Sequence, residues 1–216
     1  SLNKIAFVTD INYIKDSELV VEAVKENIDI KKDVFNKINN LVGVNTIMAS
    51  NTSSISIDKI SSVTTNPENV IGMHFMNPVP VMKLVEIIRG SKTSKSIVNK
   101  TKNYIKELNK IPVECNDSPG FVSNRILMPM INEAAYTYME GVASADGIDE
   151  IMKLGMGHPM GPLKLADLIG IDVCVSIMEV LYNGFNNIKY KVCPLLEEMV
   201  SDNKLGVKTR EGFYKY

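Results

Sequence analysis

Short apolar runs alternate with amphipathic segments over the first 118 residues of the chain. The runs that we predict as strands cover residues 5–8, 19–24, 46–49, 70–75, 84–88 and 111–114. Between several of them, apolar residues recur at three- and four-residue steps, which is typical of one face of a helix. Residues 28–42 are an example, and Gly43 is expected to end that helix. This alternation predicts an α/β domain with a mostly parallel sheet covered by helices.

The pattern changes after the sequence DSPG at residues 117–120. Beyond it, helical periodicity predicts helices over residues 126–140, 147–154, 174–182 and 195–200. We therefore predict two domains, an α/β domain over residues 1–118 and an all-helical domain over residues 119–216.

The chain starts at Ser1 and Leu2 without a methionine, and we interpret these two residues as a remnant of cloning or of processing.

The composition argues against several classes of function. The chain of 216 residues is 45% hydrophobic and carries a formal net charge of -1 without a block of like charge, which argues against a general nucleic-acid or membrane-surface role. It contains no apolar run as long as a membrane span and no secretory signal. The three cysteines are widely spaced and form no CxxC pair, so we expect free thiols in a cytoplasmic protein and no metal site.

Polar residues gather directly after three of the predicted strands. They occupy residues 22–27, 50–54 and 74–78. Because ligands of open α/β sheets bind beyond the carboxyl ends of the strands, we expect these clusters to converge on one crevice. Taken alone, residues 50–54 are equally compatible with a turn that precedes the next helix, for which Ser56 is the expected N-cap.

His74 is one of only two histidines and ends an apolar run, and Glu86 lies inside another such run. Histidine is well suited to exchange a proton near neutral pH, and a carboxylate can orient it. A carboxylate in a buried strand must be paired, because burying it alone is costly. We predict that His74 and Glu86 form a proton-transferring pair, although a single histidine at a strand end is more often structural.

Two further polar residues allow more than one interpretation. Asn124 stands at the head of the first helix of the second domain. It is either an amide that caps this helix or a hydrogen-bond donor that faces an inter-domain cleft, where ligand sites often lie. His158 lies in a turn rich in glycine and proline, and we assign it to structure.

Seven motifs occur in a fixed order and together cover essentially the whole chain. They are VKEN at 24–27, ASNTSS at 49–54, GMHFMNP at 72–78, KLVE at 83–86, PGFVSNR at 119–125, HPMGP at 158–162 and GVKTREGFYKY at 206–216. This ordered set resembles the short-chain L-3-hydroxyacyl-CoA dehydrogenases, most closely the bacterial 3-hydroxybutyryl-CoA dehydrogenases. Each motif is weak alone, but their order is highly specific.

The resemblance implies an NAD-dependent reaction that interconverts short-chain 3-hydroxyacyl-CoA and 3-oxoacyl-CoA, such as 3-hydroxybutyryl-CoA and acetoacetyl-CoA. His74 would exchange the proton of the 3-hydroxyl, and Glu86 would orient it and stabilise its charged form. Ser53 would hydrogen-bond the reacting oxygen or the thioester, and Asn124 would help to position the substrate. The positions that match cofactor-lining residues are Ala23, Glu26, Lys31, Asn51 and Lys208. The helical domain resembles the part through which these enzymes dimerise, so a homodimer is expected.

The sequence departs from the family pattern in two places. Arg210 stands where the family usually has glycine, which is expected to alter the turn near Lys208. Family members also begin with a strand and a G-x-G-x-x-G phosphate-binding turn, which does not occur in these 216 residues. We therefore predict an incomplete Rossmann-type domain. Two alternatives stay open: a non-catalytic fragment that dimerises but binds NAD poorly, and a sister dehydrogenase that acts on a hydroxy acid without CoA.

Overall fold

A computed structural model describes residues 4–216 of the chain. The chain divides into two compact units, Ser1–Phe121 and Val122–Tyr216. The domain boundary predicted near residue 118 lies close to this division. The interpretation of Ser1 and Leu2 as a remnant concerns residues outside the described part of the chain.

The first unit contains a five-stranded sheet with the strand order β1-β2-β3-β4-β5. The strands are β1 (Leu19–Glu22), β2 (Ile47–Ser50), β3 (Val70–Phe75), β4 (Leu84–Arg89) and β5 (Ile111–Asn116). Neighbouring strands run parallel, except that β3 and β4 are antiparallel. The predicted α/β fold with a mostly parallel sheet is therefore confirmed.

Alternate residues of these strands face two different apolar cores, because successive side chains point to opposite faces of a sheet. On one face, Ile71, Met73 and Ile87 pack with residues of helix α3 (Lys95–Glu107). On the other face, Val70 and Ile88 pack with residues of helices α1 (Ile28–Leu41) and α2 (Ile57–Ser61). Helices therefore cover both faces of the sheet, which explains why the strand sequences are nearly continuous in apolar residues.

The local signals in the sequence place the helix ends of the first unit. The side chain of Asn27 accepts hydrogen bonds from the backbone N–H groups of Asp29 and Ile30 and so caps α1. Ser56 caps α2 through the N–H of Lys59, as its position predicts. Short 3-10 helices at Ile11–Ile14 and Pro67–Asn69 complete this unit.

The predicted strand at residues 5–8 is wrong. These residues form no strand, and Phe7 is 91% exposed. An apolar run becomes a strand only where a neighbour satisfies its backbone hydrogen bonds, and no strand among residues 4–216 pairs with it. The strand predicted over residues 19–24 ends earlier, at Glu22, which is paired with Ser50, the last residue of β2. Beyond it, the N–H of Val24 donates to the Glu22 carboxylate.

The second unit is helical, as predicted. Its helices are α4 (Ser123–Met139), α5 (Ala145–Met156), α6 (Pro162–Ile169), α7 (Ile171–Phe185) and α8 (Pro194–Ser201). The sequence reasoning missed α6, because Gly161 and Pro162 were interpreted as a turn although proline is favoured at the first position of a helix. None of the helices within residues 4–216 combines the length and the apolar composition needed to cross a bilayer.

Candidate active site

His74 and Glu86 are direct cross-strand partners in the antiparallel pair of β3 and β4. Residues that stand opposite each other in such a pair project from the same face of the sheet. The imidazole Nδ1 of His74 lies 2.8 Å from Oε2 of Glu86. His74 is 7% exposed and Glu86 is 3% exposed, so the pair is buried. The carboxylate in the apolar strand has the partner that its burial requires.

This arrangement leaves one ring nitrogen of His74 for chemistry. When Nδ1 carries the proton and donates to Glu86, Nε2 has a lone pair with which it can accept a proton. The ring of Phe121 packs against the imidazole, with 6.0 Å between the centroids and 59° between the planes. Phe121 is buried and has a φ of 52°, a left-handed conformation that is unfavourable for a bulky residue. The imidazole is therefore held by a carboxylate at Nδ1 and by an aromatic ring.

A second buried charge pair lies where β1 and β2 end. Glu22 and Ser50 are register partners at the carboxyl ends of these strands. The ammonium of Lys31 lies 2.9 Å from Glu22 Oε1, and the Ser50 hydroxyl donates to Glu22 Oε2 at 2.7 Å. Lys31 is 1% exposed, so its charge is offset within the protein.

The carboxylate of Glu26 joins this pair to the loop that follows β2. Its Oε2 lies 3.3 Å from the Lys31 ammonium, and its Oε1 accepts hydrogen bonds from Thr52, Ser53 and Ser54. Burial raises the pKa of the Glu26 carboxyl, but the Thr52 hydroxyl, the Lys31 ammonium and the N–H of Ser53 together lower it more, so this pKa lies below its ordinary value. Glu26 is therefore held in its charged form.

Asn51 connects the ends of three strands. Its backbone N–H donates to the carbonyl of Glu22 at 2.8 Å, and its side-chain oxygen accepts from the N–H of Phe75 at 3.0 Å. The polar clusters at residues 22–27, 50–54 and 74–78 thus come together at one edge of the sheet, as the parallel order of β1, β2 and β3 requires.

The structure brings together most of the residues singled out in the sequence. Those in the first unit lie at or beside this edge of the sheet: Ala23, Glu26, Lys31, Asn51, Ser53, His74 and Glu86. Asn124 and Lys208 belong to the second unit. Asn124 is buried in the first turn of α4, but the N-cap of that helix is Val122, so the interpretation of Asn124 as the capping amide is wrong.

Lys208 and Arg210 lie in the C-terminal segment of the second unit. The Lys208 ammonium pairs with the carboxylate of Asp172. Arg210 has a φ of 64°, the left-handed conformation that glycine favours, and it follows the 3-10 helix Val207–Thr209. The turn near Lys208 therefore has a glycine-like backbone even though an arginine occupies the position.

The sequence reasoning did not identify Glu22 as the partner of Lys31. The signal was present, because Glu22 stands within the apolar run LVVEAV much as Glu86 stands within LVEII.

Within residues 4–216, no group of three or more His, Cys, Asp or Glu side chains could hold a metal ion. The three cysteines form no disulfide with one another, and burial is the largest cause that raises the pKa of Cys174 to about 12.

Two family models match almost all of the chain. Residues 1–118 match the NAD binding domain of 3-hydroxyacyl-CoA dehydrogenase, and residues 120–216 match the C-terminal domain of 3-hydroxyacyl-CoA dehydrogenase.

Similar proteins agree with this assignment. The chain is 54% identical over 215 residues to a 3-hydroxybutyryl-CoA dehydrogenase of Clostridioides difficile, with 100% of this chain and 76% of that protein covered. It is 43% identical over 218 residues to the mitochondrial hydroxyacyl-coenzyme A dehydrogenase of Homo sapiens, with 100% and 69% covered. The crystal structure of (S)-3-hydroxybutyryl-CoA dehydrogenase from Ralstonia eutropha superposes with a TM-score of 0.95 at 50% identity, over 97% of this chain and 74% of that one.

Proposed function

The chain belongs to the 3-hydroxyacyl-CoA dehydrogenase family, and from this premise we propose that it interconverts short-chain 3-hydroxyacyl-CoA and 3-oxoacyl-CoA with NAD as cofactor. The buried hydrogen bond between His74 and Glu86 is the observation that carries the proposal. Relatives named 3-hydroxybutyryl-CoA dehydrogenase support the four-carbon pair 3-hydroxybutyryl-CoA and acetoacetyl-CoA as substrates.

In the direction of oxidation, Nε2 of His74 accepts the proton of the substrate's 3-hydroxyl. Glu86 keeps the ring oriented through Nδ1 and stabilises the imidazolium that forms. When bound, NAD supplies the acceptor for the hydride that leaves C3 as the carbonyl forms. In the direction of reduction, His74 returns the proton to the oxygen at C3.

The remaining residues of the proposed site bind substrate or cofactor. Ser53 hydrogen-bonds the reacting oxygen or the thioester, and Asn124 positions the substrate. The match of residues 1–118 to an NAD binding domain supports NAD, and the polar edge formed by β1 to β3 is where an open α/β sheet binds such a ligand. The proposed cofactor-binding residues are Ala23, Glu26, Lys31, Asn51 and Lys208. Lys31 acts there through Glu22 and Glu26, because its ammonium is buried against their carboxylates.

We also propose that the chain forms a homodimer through its helical unit and is cytoplasmic. Large apolar side chains on α4 and α5 support the dimer, since Ile126, Ile151 and Leu154 are exposed. Cysteines that form no disulfide support a reducing compartment. Sedimentation of the chain at a series of concentrations tests the dimer, and a single species with the mass of one chain at every concentration would rule it out.

The proposed reaction is tested by measuring NADH oxidation that depends on acetoacetyl-CoA, in the unchanged chain beside His74→Gln. We expect turnover in the unchanged chain and a loss of roughly 10² to 10⁴-fold in the variant, which is the usual contribution of a general acid or base. Turnover that survives the substitution would refute the role of His74.

Two other outcomes of this assay would support the alternative functions. If neither protein turns over although circular dichroism shows that both are folded, the chain is a non-catalytic member, and calorimetry with NADH then shows whether cofactor binding is what it lacks. Activity on a 3-hydroxy acid without CoA, and none on acetoacetyl-CoA, identifies a sister dehydrogenase.

A further inference from the structure

A single oxygen of Glu26 organises the loop that carries Ser53. Oε1 of Glu26 accepts from the Thr52 hydroxyl at 2.6 Å, from the N–H of Ser53 at 3.0 Å and from the N–H of Ser54 at 3.1 Å. It also accepts from the Ser54 hydroxyl at 3.1 Å. Two consecutive backbone N–H groups and the side chains on either side of Ser53 are thus directed at one atom. Such hydrogen bonds to a carboxylate are stronger than those between neutral groups.

The Glu26 carboxylate is itself held in place by an ion pair with Lys31. Its second oxygen, Oε2, lies 3.3 Å from the ammonium of Lys31, which is buried and also bonded to both oxygens of Glu22. Glu22 is buried in turn and accepts from Ser50, the last residue of β2. A continuous chain of charged contacts therefore runs from the sheet to the Ser53 loop.

We propose that Glu26 is a positioning residue, which sets the backbone of the Ser53 loop from an anchor formed by Lys31 and Glu22. This inference rests on the proposed function, because it assigns Ser53 to the reacting oxygen or the thioester. It goes beyond the contact with the cofactor that the resemblance implies for Glu26. The physical reason is that a catalytic hydrogen bond depends on distances of a few tenths of an ångström, so a loop that shifts loses rate even when it still binds its ligands.

The two roles of Glu26 differ in which replacement restores function. A loop anchor needs an acceptor oxygen at the distance of Oε1, which Glu26→Gln keeps and Glu26→Asp withdraws by one methylene. A charged contact to the cofactor needs the negative charge, which Glu26→Asp keeps and Glu26→Gln removes. The side chain of Glu26 is 39% exposed, so each replacement can be made without filling or emptying a closed core. Glu114→Gln is the matched control, because Glu114 lies on β5 and pairs with Lys102 of α3.

The experiment measures the amide exchange rates of Ser53 and Ser54 by NMR without substrate, together with kcat and the calorimetric Kd for NADH. We expect Glu26→Ala and Glu26→Asp to accelerate both exchange rates about tenfold or more, and Glu26→Gln, which keeps an acceptor oxygen but loses the charge facing Lys31, to accelerate them less than Glu26→Asp does. The kcat at saturating NADH is expected to follow the same order, and the control is expected to match the unchanged chain. The Kd for NADH separately reports the proposed contact of Glu26 with the cofactor. If Glu26→Ala does not fold, the comparison of exchange rates and kcat between Glu26→Gln and Glu26→Asp is sufficient to test the proposal.

The proposal is overturned if the exchange rates stay unchanged in Glu26→Asp, or if Glu26→Asp preserves exchange protection and kcat better than Glu26→Gln. A weaker Kd for NADH with unchanged exchange would restrict Glu26 to its contact with the cofactor and also overturn the positioning role. Because exchange is measured without turnover, an inactive but folded chain refutes the proposed function and still shows whether Glu26 holds the loop.

Discussion

The two units bury carboxylates in different ways. In the first unit, Glu22 and Glu86 are offset by the side chains of Lys31 and His74, which can themselves gain or lose a proton. In the second unit, the most deeply buried carboxylate is that of Asp167, which is 0% exposed and accepts only from backbone N–H groups and a tyrosine hydroxyl among its described hydrogen bonds. Both arrangements offset the free-energy cost of burying a carboxylate, but, among the described contacts, only the arrangement in the first unit places a lysine or a histidine beside it.

Asp167 holds the C-terminal segment of the second unit. It accepts from the N–H groups of Phe213 and Tyr214, each at 2.9 Å, and from the hydroxyl of Tyr216 at 3.0 Å. A Cβ added at Gly212 would lie 2.1 Å from Asp167 Oδ1, so the approach of this segment requires glycine there. The pKa of the Tyr216 hydroxyl is raised, first by burial and then by the charge of Asp167, so this hydroxyl remains a donor.

Asp149 repeats this arrangement at the start of α6. Its carboxylate accepts from the N–H groups of Leu163 and Lys164 at 2.9 and 2.8 Å and from the hydroxyl of Tyr214 at 2.8 Å. A negative charge at a helix N-terminus is favourable, and backbone N–H groups do not titrate. Asp149 and Asp167, whose described partners are backbone N–H groups and tyrosine hydroxyls, fix segments of the backbone, whereas Glu22 and Glu86 lie beside a lysine and a histidine at the proposed site.

The largest effect on stability is expected from a substitution of Asp167. Replacing the fully buried Asp167 with alanine leaves three donors without their acceptor, and we expect a loss of about 3–5 kcal/mol in the free energy of unfolding. Urea denaturation followed by circular dichroism measures it. The exposed carboxylate of Asp202, which pairs with Lys204, is the control, and its replacement with alanine is expected to cost less than about 1 kcal/mol. Equal effects of the two substitutions would contradict the structural role of Asp167.

A substitution of Lys31 tests the buried charge pair of the first unit in the same way. Lys31→Met leaves the buried Glu22 without its counter-charge, and we expect a loss of about 3 kcal/mol. Because the partner is a side chain, adding Glu22→Gln is expected to restore more than half of that loss. No single side-chain replacement can do the same for Asp167. A double variant as unstable as Lys31→Met would mean that the pair does not act as a unit.

The smallest effect is expected at Arg210, in the segment that Asp167 holds. Glycine adopts the left-handed conformation of Arg210 without strain, so Arg210→Gly is expected to raise the free energy of unfolding by about 0.5–1 kcal/mol. Asn186, with a φ of 47°, is the control, because asparagine tolerates this conformation and gains less from the same change. A destabilised Arg210→Gly variant would show that the arginine side chain contributes to the turn.

The sequence predicted those parts of the molecule that depend on local patterns. The strands, α1 and the Ser56 cap follow from apolar periodicity and from side chains next to each element. The run at residues 5–8 has the same local pattern, but strand formation also requires a neighbour, which periodicity does not reveal. In α6, proline signalled a helix start that was interpreted as a turn.

The parts that were missed depend on residues far apart in the chain. The contacts of Asp167 span 46 to 49 residues, and no spacing rule connects such positions. His74 and Glu86 were paired from their chemistry, because a buried carboxylate needs a partner. Their close contact nevertheless depends on the antiparallel pairing of β3 with β4, which a mostly parallel sheet did not predict.

The central claim is that Glu86 acts through His74, and a double-mutant cycle on kcat tests it most directly. The rates of NADH oxidation with saturating acetoacetyl-CoA are compared for the unchanged chain, His74→Gln, Glu86→Gln and the double variant. We expect each single change to lower kcat by roughly 10² to 10⁴-fold, and the double variant to be no slower than His74→Gln, since a carboxylate that only orients the imidazole has nothing left to orient. A double variant slowed by the product of the two single effects would contradict the claim, because His74 and Glu86 would then act independently.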